Sequence, residues 1–314
     1  MRRVRFHRRF HGYSGGHGKV RDYVGHVDAH PGFEAETWLT ADSVSDGNPW
    51  ATGDLRRAAA WDPDAADVLF LAGLDWEAVP DDRPGRPVIN LVQHLRHADA
   101  HDARRPFLRR PALRICVSQA VADAILATGE VNGPVHVIPA ALDLPALPAR
   151  PADAASPVRV VIAAGKAPAL AAGVAAALSD TTATPVVLPA GLRREEFLAQ
   201  LGKADIAVML PHEREGFYLP GLEAMALGAA VVMPDAGGNR EYLDAGGNAL
   251  VPAREAGDIA TAVRLLLDDA GRRSALAAAG PATAARYTLA RERAAFHALL
   301  DRLDTEWAAC RHAC

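Results

Sequence analysis

Residues 213–228 read E-R-E-G-F-Y-L-P-G-L-E-A-M-A-L-G, and the rest of the chain is organised around them. A short apolar run at 205–210 precedes them and has the look of a buried strand. Pro220 has the fixed φ of a first helical position, so a helix is expected to begin there. Gly228 tolerates a left-handed C′ position cheaply and is expected to end it. Leu222, Met225 and Ala226 recur at helical spacing and give one apolar face. Glu223 is expected in the first turn, off that face, and Glu215 in the loop before it. Two carboxylates then flank a helix N-terminus, where unpaired N–H groups and the helix dipole favour anions. Such an arrangement suits a hydroxyl-rich ligand whose phosphates sit on the helix end. A capped core helix after a strand would use the same residues with no ligand at all.

Composition sets the frame. The 314 residues suffice for about two ordinary domains, and half of them are apolar, as in a soluble globular protein. A net charge of −4 gives no reason to expect nucleic acid. Arg2, Arg3, Arg5, Arg8 and Arg9 make a local basic patch, read either as a solvated strand end or as a surface for peripheral contact with membrane headgroups. The N-terminus lacks the apolar core of a signal peptide. The most apolar stretch, 160–178, is interrupted by Gly165-Lys166-Ala167-Pro168 and reads as strand, loop and helix, not a membrane span. Cys116, Cys310 and Cys314 offer no disulfide framework, which suits a reducing cytoplasm. Cys310, His312 and Cys314 read as a terminal helix in preference to a metal clip. Asp62-Pro63-Asp64 likewise reads as a loop cap in preference to a metal site, so no metal is expected.

Outward from the opening stretch, strands alternate with helices in both halves. Strands are expected at 4–10, 33–39, 67–72, 87–93, 113–118 and 135–139, with helices at 19–30 and 121–127. A proline-rich linker at 144–157 separates these from strands at 158–164, 184–188, 205–210 and 229–233, helices at 170–178 and 194–201, and a helical tail able to pack back on the first domain. Near-continuous apolar strands such as 67–72 indicate parallel sheets covered on both faces, so two doubly wound α/β domains are expected, at 1–150 and 151–314. Gly15 and Gly16, between the first strand and helix, allow close backbone approach to a ligand. They belong to no P-loop, because Tyr13 and Val20 stand at two required positions. His94 follows a buried strand, where ligands gather in open α/β sheets.

The opening stretch resembles the donor-site motif of family-4-type retaining glycosyltransferases with the GT-B fold, also described as glycosyl transferases group 1. Glu215 and Glu223 have that motif's seven intervening residues, and Gly216, Phe217, Leu219, Pro220, Ala224, Met225, Ala226 and Gly228 fill the pattern. The resemblance implies two Rossmann-like domains facing across a cleft, with the nucleotide mainly on the second and a C-terminal helical tail. It implies that Glu223 accepts hydrogen bonds from ribose hydroxyls, while Glu215 holds sugar hydroxyls. Gly165, Gly216, Phe217, Tyr218 and Leu219 would line the donor, Gly15 and Gly16 would lie beside diphosphate and acceptor, and His94 would approach the sugar. The family usually has Gly-Arg after the first strand of the second domain and a lysine further on. Lys166 stands at the arginine position and no second lysine follows; Ala140-Ala141-Leu142-Asp143 keeps only the aspartate of another motif.

The expected activity is therefore metal-independent sugar transfer, with retention, from a nucleotide-diphosphate donor to a glycan, lipid-linked or small-molecule acceptor. Such activity belongs to bacterial polysaccharide biosynthesis in the cytoplasm or at the inner face of the membrane. A non-catalytic nucleotide-sugar or glycan binder and a sugar-nucleotide epimerase are the alternatives. Donor base, sugar, acceptor and oligomeric state leave no signature in the sequence.

Overall fold

The structure, a computed structural model, describes residues 1–12, 14–51, 53–80, 85–144 and 157–311. Most of the expected linker, with Tyr13, His312 and Cys314, lies outside the described residues. The chain divides into two compact units: Met1–Ala140 with Leu289–Cys314, and Ala141–Thr288.

The first unit contains β1 (Arg2–Arg8), α1 (Gly15–Asp28), β2 (Phe33–Leu39), β3 (Val68–Ala72), β4 (Val88–Val92), β5 (Leu113–Cys116), α2 (Gln119–Leu126) and β6 (Val135–Val137). These strands form one sheet in the order β2-β1-β3-β4-β5-β6, each pair parallel. β3 and β4 are buried along their whole length, the pattern of strands covered on both faces. Asn90 in β4 is the polar exception, and its amide donates to the Leu71 carbonyl at 3.0 Å. Arg114 in β5 is fully buried and donates to backbone carbonyls, including those of Phe107, Leu108 and Arg110. Its guanidinium thereby ties the 105–109 turn to the sheet.

The second unit contains β7 (Val160–Ala163), α3 (Pro168–Ala177), β8 (Val186–Leu188), α4 (Arg194–Leu201), β9 (Ile206–Met209), α5 (Leu219–Ala226), β10 (Ala230–Val232), β11 (Ala249–Leu250), α6 (Ala256–Asp268) and α7 (Ala270–Ala284). Its sheet runs β11-β10-β9-β7-β8, again parallel throughout. Val160, Ile162, Ile206, Val208, Ala230 and Val232 point one way from this sheet and pack with Val174, Ile259, Val263 and Leu266.

The chain then returns to the first unit as α8 (Leu289–Leu300) and α9 (Leu303–Arg311). Glu292 of α8 is buried against α1, accepting from Lys19 Nζ at 3.0 Å on both oxygens and pairing with His26 Nε2 at 2.9 Å. His30 meets Asp301 at 3.1 Å, and His136 pairs with Glu306. The division expected at 150/151 counts the helical tail with the second domain while letting it pack back on the first. The compact units place it with the first, because its buried acid has its partners there.

Each sheet reverses its strand order once: between β1 and β3 in the first unit, and between β7 and β9 in the second. In open parallel sheets, ligands bind beyond the carboxyl ends of the strands at such a reversal. The Gly15-Gly16 segment follows β1, and the loops carrying Lys166 and Glu215 follow β7 and β9.

Candidate active site

The two loops beyond the reversal in the second unit meet. Lys166 Nζ, on a largely exposed side chain, lies 3.5 Å from Oε1 of the buried Glu215. The same Oε1 accepts the His212 N–H at 3.1 Å, which fixes the carboxylate above β9. Glu215 is also held by its backbone. Its N–H donates to the Ala236 carbonyl at 2.9 Å, and its carbonyl accepts from Gly238 N at 3.0 Å. Only glycine fits at 238: a Cβ there would stand 2.1 Å from the carbonyl carbon of Gly216. The loop after β10 is tied in turn by fully buried Asn239, which accepts from Ala236 N at 2.9 Å and donates to the Pro234 carbonyl at 3.0 Å.

The entry to α5 is unusual. Tyr218 has φ 65° and ψ 66°, the left-handed region, and is the non-glycine residue of positive φ among the described residues. Such a conformation costs of order 1–3 kcal/mol and persists where the surroundings over-determine it. Here Tyr242 Oη donates to the Tyr218 carbonyl at 2.7 Å, and both rings are buried. Phe217 is buried too, against Tyr242 and Tyr287 at ring distances of 5.3 and 5.6 Å. Phe217 and Tyr218 therefore shape the loop with their buried rings. No side chain caps α5; Pro220 in its first turn has no N–H and Gly221 N donates to the Tyr218 carbonyl at 3.2 Å, so it is chiefly the helix dipole that favours anions at this end.

The helix begins at Leu219, one residue before the expected start, and ends with Gly228 at φ +76° in the left-handed C′ conformation. Glu223 consequently lies in the second turn, not the expected first. It is 2% exposed. Burial raises its pKa, with Arg194 opposing through charge and a 2.6 Å hydrogen bond to Oε1. Arg194 also donates to the Asp143 carbonyl at 2.8 Å. Both carboxylates act on the same phenols: burial first, then Glu215 and Glu223, push the Tyr218 pKa up, and Tyr242 is pushed up by burial, Tyr218 and the two acids.

In the first unit, His94 follows β4, and its Nδ1 accepts the Arg96 N–H at 3.1 Å, so the neutral ring carries its proton on Nε2. Gln93 beside it donates to the Gly16 carbonyl at 3.3 Å, joining the end of β4 to the start of α1. Gly15 and Gly16 form the first turn of α1, capped by Ser14, instead of a loop ahead of the helix. A Cβ at Gly16 would make only an ordinary 3.5 Å contact with Gln93. Arg8 pairs with Asp75 at 2.6 Å, lies over Trp50, and reaches His17 at 3.2 Å. Burial, then Arg8, hold the His17 pKa down at about 4, and burial and Arg104 hold that of His97 at about 3; both rings are neutral near pH 7. Asp62 caps a short turn and Asp64 pairs with Arg86.

The sequence places Lys166 and Glu215 in loops and Glu223 on the helix of one unit, and the fold brings the first two into contact. It missed Arg194, Asn239 and Tyr242. Arg194 carried no motif, since it stands in an R-R-E-E helix start that is commonplace on surfaces. The five N-terminal arginines all face carboxylates: Asp304, Glu34, Glu36, Asp75 and Asp42. Among the described residues, no group of three or more His, Cys, Asp or Glu is arranged for a metal, and no helix is long and apolar enough to cross a membrane.

Residues 122–269 match the model of the family described as glycosyl transferases group 1. No curated protein matches. Among solved structures, HepE of Anabaena in complex with UDP and glucose superposes with a TM-score of 0.73 at 15% identity, over 96% of this chain and 100% of that one. Sucrose-phosphate synthase from Thermosynechococcus elongatus gives 0.72 at 14% identity, over 97% and 100%. The lipopolysaccharide outer core galactosyltransferase WaaB, in its apo form, gives 0.72 at 12%, over 96% and 100%. Parallel Rossmann-like sheets in both units, superposing on these structures, give the chain the GT-B fold, and residues 122–269 are similar to glycosyl transferases group 1.

Proposed function

We propose that this protein is a retaining glycosyltransferase that moves a sugar from a nucleotide-diphosphate donor to an acceptor without a metal. The observation that carries the reading is the Lys166–Glu215 contact at the strand-order reversal of the second unit, beside the uncapped start of α5. In the reaction the bond between the anomeric carbon and the phosphate oxygen breaks, the acceptor hydroxyl oxygen bonds to that carbon, and its proton passes to the departing diphosphate. Negative charge develops on the departing diphosphate, so fixed positive groups lower the barrier. Lys166 and the open end of α5 supply them. Glu215 holds sugar hydroxyls, and the positive character at the anomeric carbon favours a carboxylate nearby. Glu223 takes the ribose hydroxyls, and the Nε2 proton of His94 suits a sugar oxygen. The diphosphate fits Gly165, Gly216 and Leu219 because bare backbone approaches it there, whereas the buried rings of Phe217 and Tyr218 leave only their backbone to contribute.

The acceptor is a glycan, a lipid-linked intermediate or a small metabolite, and the setting is the bacterial cytoplasm. The paired N-terminal arginines mean that a contact with the inner membrane face would need other residues. A non-catalytic binder is the second reading, favoured by the engagement of Glu223 with Arg194.

The test is release of nucleoside diphosphate from a panel of nucleotide sugars with a broad acceptor set. Turnover should fall about 10²–10³-fold in Glu215→Ala or Lys166→Ala with the fold intact. Undiminished turnover in both variants rejects the assignments, and tight donor binding with no turnover favours the binder.

A further inference from the structure

We propose that Arg194 is a positioning residue for the donor, acting through Glu223 by keeping that buried side chain an acceptor for both ribose hydroxyls. The inference rests on the ribose role given to Glu223 above and extends it to a residue outside the donor motif.

Three observations converge. Arg194 Nη1 lies 2.6 Å from Glu223 Oε1, the geometry of a charge-assisted hydrogen bond. Arg194 is the first residue of α4, the positive end of a helix dipole, where a cation is disfavoured and acids are preferred. Its own helix therefore gives no reason for an arginine, and Glu223 does. The guanidinium is also held at a second point, the Asp143 carbonyl, so it cannot leave Glu223 without losing another bond. The arginine side chain is 36% exposed while Glu223 is 2% exposed, so the cation sits between the acid and solvent.

Other groups around Glu223 do not compete for this role. β9 and β10, packed against α5, carry no titratable side chain. On α7, Arg272 faces Asp269 and Arg273 donates to the Leu266 carbonyl. On α4, Glu195 and Glu196 face Arg193. Tyr218 and Tyr242 are phenols held neutral by burial. Without Arg194, burial alone acts on Glu223, and the carboxyl takes up a proton at higher pH. A protonated acid offers one hydroxyl donor where the ribose needs acceptors.

The test uses calorimetric titration of the full chain with UDP, GDP and ADP, which share the ribose, following whichever binds most tightly from pH 6 to pH 9. Each variant is compared with wild type at the same pH, because the terminal phosphate of the ligand itself titrates near pH 6. Arg194→Met should bind about tenfold more weakly than wild type at pH 6, and the ratio should approach one as pH rises, since an ionised Glu223 is restored. Arg194→Lys should follow wild type across the range, and Arg194→Met should cost nothing further in a Glu223→Gln background. Arg194→Gln, which keeps a donor for Asp143, replaces the methionine variant if that one does not fold. A ratio to wild type that does not change with pH in the neutral variants, or equal loss in the Glu223→Gln background, overturns the role of Arg194. Undiminished binding in Glu223→Gln, or no binding of any diphosphate by the wild type, removes the ribose reading and this proposal with it.

Discussion

Two glutamates, one in each unit, are almost completely buried, and their surroundings treat them in opposite ways. Glu292 in the first unit faces Lys19 through both oxygens and His26 through one. Burial acts to raise its pKa, but the His26 hydrogen bond and Lys19 outweigh it, and the net shift is downward. Glu223 in the second unit has Arg194 on one oxygen, burial prevails, and its pKa rises. Taking a carboxylate out of water costs several kcal/mol, and that cost is met only by well-placed partners. Glu292 has them and acts as a pin that fastens α8 onto α1. Among the described residues, Glu223 has only Arg194 to offset its burial, an imbalance that the proposed hold on ribose hydroxyls would use.

Glutamine at both positions gives the sharpest test of this contrast. Glu292→Gln removes the carboxylate facing buried Lys19 and His26, leaving Lys19 with Asp22 at 2.7 Å, and should destabilise the first unit by about 2 kcal/mol. Trp38, Trp50, Trp61, Trp76 and Trp307 all belong to that unit, so tryptophan fluorescence in a denaturant titration reads it selectively. A loss under about 1 kcal/mol would mean the pin is ornamental. The same acid sets a pH signature. Its pKa is depressed from 4.5, so its contribution is fully present above pH 4.5 and lost as pH falls through the folded-state value. Wild-type tryptophan fluorescence should therefore report weakening below pH 4.5, and Glu292→Gln should lack that component.

The second unit holds its site by backbone closeness, so Gly238→Ala should cost about 1–3 kcal/mol and displace the Glu215 loop. Amide exchange across 234–242 would register the loosening, and unchanged protection would show that the loop yields freely. The smallest effect has the opposite sign. Glu223→Gln relieves a desolvated charge and should leave stability unchanged or raise it by up to about 1 kcal/mol, while weakening nucleotide binding. A destabilisation matching that of Glu292→Gln, seen by calorimetry, would erase the distinction between the two acids.

Much of this was legible in residue order. The strands at 33–39 and 205–210 and the helix at 194–201 follow from apolar runs and spacing, and the structure has β2, β9 and α4 there. Gly228 ends α5 because few other residues accept its φ. Glu215 and Glu223 stood out through their spacing around a helix entry. Gly15 and Gly16 are expected between the first strand and a helix at 19–30, whereas α1 already includes them, because a glycine pair does not reveal whether the helix has begun. The two-residue β11 was missed because so short a strand has no periodicity. The placement of the tail depended on the 273 positions separating Lys19 from Glu292, a distance no local pattern spans.

The sequence by itself determined which segments become strands and helices, where α5 stops, and which two acids frame its start, since those outcomes follow from local sterics and periodic burial. Only the tertiary structure decided that α8 and α9 count with the first unit, that Lys166 meets Glu215, and that Arg194 covers Glu223. Each of those is a pairing of charges from distant parts of the chain. Its strength depends on the burial and dielectric that exist only after folding.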